Sequence, residues 1–241
     1  FEKKGGIEVG TEGFGPRIVE LPFGIQVTET VTVTWWIMAG IILLAWLGAR
    51  NLQMVPGKRQ IVVEAIVKMI NNLTKQTMGE KNIKFAPYIG TLMIFLAVAN
   101  LAGLLGLRPP TADINTTLAL ALITFFMIHT FGIRSKGVGK YLKGFFEPFF
   151  LLFPINLLGE VATPISLSFR LFGNIVGGLI IMSLLYGALG GFTSALLSLN
   201  IPLLAVGVPA VFHIYFDLFS GLLQSFIFTM LTMVYVSMAM D

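Results

Sequence analysis

Arg170 stands inside the stretch SLSFRLFGN, Ser166 to Asn174, and no other Lys or Arg follows Lys143 in the 241-residue chain. After it comes an uncharged run from Leu171 to Phe216, with His213 counted neutral. Arginine cannot shed its charge, and a cation at membrane depth costs at least ~2.5–3.5 kcal/mol on insertion scales. Such a residue is a functional candidate, suited to stabilising a mobile anion rather than to making or breaking bonds. Asn174 follows it by one helical turn, and Glu160 precedes it by ten residues, about 15 Å along a helix. In the last apolar run His213, Asp217, Ser220, Gly221 and Gln224 recur on one helical face. With the two runs antiparallel and Arg170 level with Gln224, Asp217 lies about 10 Å toward the opposite side, facing Leu179. The pattern is an acid toward each aqueous phase with a fixed cation between them. It suits two offset water-filled routes that do not meet.

Each residue also has a plainer reading. Arg170 can be a structural cation neutralised by Asp217. Glu160 near a helix start also suits the helix dipole. Asn174 and Gln224 can be interhelical hydrogen bonds of under ~1–2 kcal/mol. Asp113 can be a turn residue after Pro109-Pro110, with Asn115 beside it, and His129 an interface histidine. Asp113, Asn115 and Ser220 remain candidates for the outer route. The chain has no cysteine, so it has neither disulfide framework nor thiol chemistry. No phosphate-binding loop, catalytic carboxylate pair, metal-ligand cluster or nucleophile–base pair stands out. The expectation is a protein with no catalysis of its own, no cofactor and no metal.

The elements that position these residues are membrane spans. The composition is 56% hydrophobic and 12% charged, against about 25% charged in soluble domains, with a mean hydropathy of +0.86. The net charge of +4 does not point to nucleic acid, because the basic residues lie between apolar runs, where they set topology. Residues 1–28 read as an extramembrane arm with a short strand at Arg17–Pro22. Span one is Thr30–Ala49, with Trp35, Trp36 and Trp46 near its ends. Residues 50–84 hold seven basic residues, and Ile61, Val62, Ala65, Ile66, Met69, Ile70 and Leu73 recur at helical spacing. This predicts an amphipathic helix near 57–78, lying on the membrane surface. Span two is Phe85–Leu107 and span three Ile114–Ile133, followed by a basic loop, 134–143, and an aromatic turn, 145–154. Two long apolar helices complete the chain, Ile155–Leu189 and Ile201–Met240, separated by Gly190-Gly191 and the polar stretch after it.

At 1.5 Å per residue, a 35-residue helix is about 52 Å long, against a hydrocarbon core of about 30 Å. The last two helices must therefore tilt steeply, bend or run partly along the membrane plane. The two basic segments hold eleven Lys and Arg, and the opposite-side segments hold four, so the N-terminus is expected outside and the C-terminus in the cytoplasm. The fold class is an all-α membrane protein: three ordinary crossings, a surface amphipathic helix and a strongly tilted antiparallel helix hairpin at the C-terminus. The chain divides into the arm (1–28), an N-terminal transmembrane part (29–143) and the tilted hairpin (144–241). No internal repeat is evident, which counts against a secondary transporter built from inverted halves.

Three segments carry a resemblance to subunit a of the bacterial F-type ATP synthases: PISLSFRLFGNIVGG (164–178), DLFSGLLQSFIFTMLTMVYVSMA (217–239) and PTADINTT (110–117). The resemblance implies a stator subunit in the bacterial plasma membrane, partnered by a ring of c subunits, the peripheral-stalk b subunits and the rest of the complex. It implies that Arg170 separates two half-channels, that Asn174 and Gln224 flank it, and that Asp217, with His213 nearby, serves the outer channel and Glu160 the inner. Where some members carry an acid nine residues after the arginine, this chain has Leu179, and the acid stands instead on the facing helix at Asp217. The coupling ion, proton or sodium, stays open, because the rotor site decides it. An independent channel or transporter built on a buried Arg/Asp pair, or a structural scaffold, are the other readings.

Overall fold

A computed structural model describes residues 18–21, 25–50, 52–147, 149–197 and 204–241. Among them, five helical segments are long and apolar enough to cross a membrane: Glu29–Ala49, Glu80–Leu105, Ile114–Lys136, Phe150–Thr193 and Pro209–Met240. The protein is an all-α membrane protein. Its one sheet among the described residues is a hairpin, β1 (Ile18–Leu21) antiparallel to β2 (Ile25–Thr28). The expected strand at Arg17–Pro22 is thus half of a pair; Arg17 and Pro22 lie outside the described residues.

Strand β2 runs directly into α1 (Glu29–Ala49). The exposed Trp35, Trp36 and Trp46 stud α1, as rings that favour the membrane–water boundary, and the Arg50 guanidinium sits 5.1 Å over Trp46. Helix α2 (Lys58–Met78) buries Ile70, Thr74 and Met78, spaced four apart, and leaves Ile61, Val62, Ile66 and Met69 exposed. It packs on α8 (Gly221–Met240) and on α3 (Ala86–Leu101). The expected continuous second span is an α-helix only over α3. Tight 3₁₀ turns flank it at Glu80–Phe85 and Ala102–Leu105, and the second closes on Gly106 at φ +72°. Helix α4 (Ile114–Lys136) outlasts its predicted end by a turn, and α5 (Val138–Gly144) follows. The basic stretch expected as a loop is therefore largely helical, with Gly137 at φ +81° turning the chain between the two helices.

Helix α6 (Phe153–Leu197) has 45 residues, about 68 Å at 1.5 Å per residue. Gly190-Gly191 do not end it, contrary to expectation. Glycine costs only about 1 kcal/mol relative to alanine in a helix, whereas unpaired backbone in an apolar medium costs several kcal/mol per group. The return limb is α7 (Leu204–His213), a π-helical segment (Ile214–Ser220) and α8. The sequence predicted one uniform α-helix here; the π turn within it was not foreseen.

Lipid tails are as apolar as leucine, so packing and short-range polar contacts hold such bundles. Here α4 packs mainly on α6 and α8, and α3 on α8. One buried cluster joins Met78, Phe85, Ile89, Ile128, Met233 and Val236. A second joins Leu92, Leu96, Ala121, Leu167, Leu171 and Phe228. Hydroxyl contacts join the same helices, Thr117 to Ser168 at 3.0 Å and Thr124 to Thr232 at 3.2 Å. The side of α6 opposite Arg170 is fixed in this core.

Candidate functional site

Leu167, Ser168 and Leu171 face the core, which turns Ser166, Arg170 and Asn174 outward. Arg170 is exposed, and among the described residues it has no hydrogen-bond or ion-pair partner. The pairing of Arg170 with Asp217 is therefore not made. Nor is Gln224 matched with Arg170: Asn174 Nδ2 donates to Gln224 Oε1 at 2.6 Å. The register is also set at Gly178, where a β-carbon would stand 3.3 Å from Phe216. That contact, eight residues from Arg170 on one limb and eight from Gln224 on the other, keeps Arg170 and Gln224 near one level, while Asn174, one turn on, takes the Gln224 amide oxygen.

On one side of Arg170 stands Asp217. Its carboxylate accepts from His213 Nδ1 at 2.5 Å, and His213 Nε2 lies 3.0 Å from the Tyr186 hydroxyl. Both His213 and Asp217 are half-buried. A β-carbon on Gly103 would lie 3.8 Å from the carboxylate, so the acid rests on the 3₁₀ turn at the end of α3. Tyr186 was not singled out in the sequence. Its signal is the spacing of seven from Leu179, the position that the register puts near Asp217. Ser220, the last residue of the π segment, is half-buried.

Asn100 was also missed. It is 1% exposed. Its amide donates to the Gly221 carbonyl at 2.8 Å and to Ser225 Oγ at 2.9 Å, and its carbonyl accepts from the Thr111 hydroxyl at 2.6 Å. A lone Asn in an apolar span is that signal, since buried amides need partners. This bridge clamps the chain where the π segment passes into α8.

Asp113 and Asn115 share no hydrogen bond with Asp217 among the described residues. The Asp113 carboxylate caps α4 through the Asn115 N–H at 3.0 Å and accepts from the Thr30 hydroxyl at 2.9 Å, which pins α1 to α4. Both residues line a separate, largely apolar cavity of about 690 Å³ between α1, α3 and α4.

On the other side of Arg170 the structure assembles a second polar group. Glu160 Oε2 lies 4.0 Å from His129 Nε2, and His129 Nδ1 lies 2.6 Å from the Tyr141 hydroxyl. The sequence treated His129 as an interface residue; α4 and α6 bring it to Glu160. A cleft of about 560 Å³, lined by Glu160, Tyr141, Asn156, Thr163, Lys136 and Lys140, opens there. Pro164, inside α6, lacks the N–H that would bond the Glu160 carbonyl, so the helix is loosened at this acid. Burial, and then the charge of Glu160, push the Tyr141 phenol above its ordinary pKa. The hydroxyl keeps its proton.

The arrangement is thus a carboxylate–imidazole–phenol group on each side of one exposed guanidinium. Among the described residues no three His, Asp or Glu side chains gather as a metal site.

A family model described as ATP synthase A chain matches residues 31–237. The chain is 40% identical to "ATP synthase subunit a, sodium ion specific" of Propionigenium modestum, over 89% of this chain and 74% of that protein. It is 38% identical to "ATP synthase subunit a 2" of a Bradyrhizobium species, over 89% of this chain and 90% of the relative, and 38% identical to "ATP synthase subunit a" of Desulfosudis oleivorans, over 88% and 87%. The chain therefore belongs to the ATP synthase subunit a family, the ion-translocating stator subunits of the F-type complex.

Proposed function

We propose that this chain presents two offset half-channels to a ring of rotor c subunits, with Arg170 as the partition. An ion arrives past Asp217 and His213 and neutralises a rotor carboxylate, which can then turn into lipid. After nearly a full rotation the carboxylate meets the inner route at Glu160 and releases its ion. Asn174 and Gln224 hold the helices together beside the arginine. Arg170 favours the charged form of the passing carboxylate, since an opposite charge nearby stabilises it. Its own charge keeps cations from crossing directly between the routes.

One observation carries this reading: Arg170 is exposed and unpartnered among the described residues, with Asp217 and Glu160 engaged in separate groups on either side. A structural arginine would be paired with one of them. The eleven basic residues of 50–84 and 134–143 support an N-terminus outside and a C-terminus in the cytoplasm of a bacterial plasma membrane. On this reading residues 1–28 are an extracytoplasmic arm. Residues 29–143 anchor the chain, with α2 on the cytoplasmic face and the peripheral-stalk b subunits beside them. Residues 144–241 carry the channels and the rotor-facing surface. Each elementary charge crossing supplies about 2.3 kcal/mol per 100 mV, and that work turns the ring.

The test is Arg170→Ala in the whole complex, reconstituted in vesicles. Gradient-driven ATP synthesis is expected to vanish, while the detached soluble head still hydrolyses ATP. Coupled synthesis at the ordinary rate in that variant overturns the proposal.

A further inference from the structure

The contacts around His129 exceed what anchoring a helix requires. Its Nδ1 is held by Tyr141 at 2.6 Å, and its ring stands edge-on to Phe125 with centroids 4.0 Å apart. The orientation is fixed, and it aims Nε2 at Glu160. Room for this is built into α4. A β-carbon on Gly132 would fall 2.6 Å from the Tyr141 ring and 3.2 Å from the Ala239 carbonyl. Only a residue without a side chain lets Tyr141 reach His129. Tyr141 itself comes from α5, the short helix that follows Gly137. Three elements, α4, α5 and α6, thus converge on one imidazole, whose partners Tyr141 and Glu160 line the 560 Å³ cleft.

The imidazole meets Glu160 from α6 and Tyr141 from α5, and the cleft that those two residues line also carries Lys136, Lys140, Glu147 and Tyr235. The two lysines repel diffusing cations, so a relay of exchangeable protons passes the mouth of the cleft more easily than a hydrated metal ion. Histidine is the side chain that exchanges protons near neutral pH.

We infer that His129, seated by Tyr141, is a proton acceptor at the inner exit, which fits this route to carry protons. The inference rests on the half-channel reading above. Neutral His129 donates its Nδ1–H to the Tyr141 oxygen and leaves the Nε2 lone pair free. Glu160, protonated by the ion leaving the rotor, passes a proton through one bridging water across the 4.0 Å gap to Nε2, giving carboxylate and imidazolium. The half-buried imidazolium then loses its Nε2 proton to water, and the starting state returns. Tyr141 is a positioning residue: it fixes the tautomer and the direction of Nε2.

The test uses the whole complex in vesicles, with ATP synthesis driven by an imposed proton gradient. His129→Ala is expected to lower the rate by at least about tenfold, within the range of a lost proton-transfer group. Millimolar imidazole on the Glu160 side is expected to restore most of the rate, because it can occupy the vacated space and carry the proton. Tyr141→Phe, which keeps the ring but loses the hydroxyl, is expected to lower the rate by a smaller factor, and imidazole is expected not to restore it. An unchanged rate in both variants overturns the relay. So does a loss in His129→Ala that imidazole does not reverse, as does a wild-type complex that turns only on a sodium gradient. Arg170→Ala run alongside separates the two ideas. If it uncouples while His129→Ala does not, the relay alone fails; if it stays coupled, the half-channel reading fails.

Discussion

Asn174 and Gln224 meet across the hairpin at 2.6 Å, while the other amide atom of Gln224, Nε2, is buried without a partner among the described residues. A buried unpaired amide costs about 1–3 kcal/mol, and a net hydrogen bond contributes about 0.5–1.5 kcal/mol. The two effects nearly offset each other, so stability does not explain this glutamine.

Gln224→Leu is therefore expected to assemble like wild type, with stability changed by no more than about 1 kcal/mol, while gradient-driven ATP synthesis falls several-fold. Subunit yield in the purified complex and the synthesis rate in vesicles check the two halves. A fall in yield that matches the fall in rate makes Gln224 a packing residue only.

Asn100 invites the opposite outcome. It serves three partners at 1% exposure: the Gly221 carbonyl, Ser225 and Thr111. Asn100→Leu strands these groups and brings branched bulk to a place where Gly221 already lies tight, a β-carbon there being 3.2 Å from the Asn100 Cβ. The expected loss is about 2–4 kcal/mol, read as a lowered thermal midpoint of the complex and reduced incorporation of the subunit. Wild-type thermal behaviour would show that the clamp at the π–α junction contributes little.

The sequence revealed what depends on composition and period. Apolar runs of about 20 residues give the spans, and Arg170 stands out because its cost inside such a run is large. Glu160, Asn174, Asp217 and Gln224 were legible for the same reason. Register and helix irregularities were not. Nothing in IYFDLFS marks a π turn, because an i to i+5 bond uses the same residue types as an i to i+4 bond. Nor does the sequence show that the Gln224 amide oxygen takes the Asn174 amide. His129 and Tyr141 lie twelve residues apart on separate helices, and their meeting depends on the chain reversal at Gly137. Gly190-Gly191 read as a break because glycine usually punctuates soluble chains. In an apolar medium the requirement to pair every backbone group prevails.

Asp217 offers a way to separate charge from geometry in the proposed outer route. Its carboxylate binds His213 Nδ1, and His213 in turn reaches Tyr186, so the acid both presents a charge and orients an imidazole. Asp217→Asn keeps an acceptor oxygen for the His213 bond and removes the charge. Asp217→Leu removes both. With charge as the requirement, both variants slow ion uptake from the Asp217 side by a similar large factor, on the order of tenfold or more. With orientation of His213 as the requirement, the asparagine variant retains most of the rate and only the leucine variant is slow. The half-buried carboxylate, with an uncharged Leu179 on the facing helix, favours charge, so the two variants are expected to behave alike. The measurement is the initial rate of gradient-driven synthesis against ion concentration on the Asp217 side, with subunit yield as the control for assembly. Full activity in Asp217→Leu would remove this residue from the ion route and leave it as a partner of His213 alone.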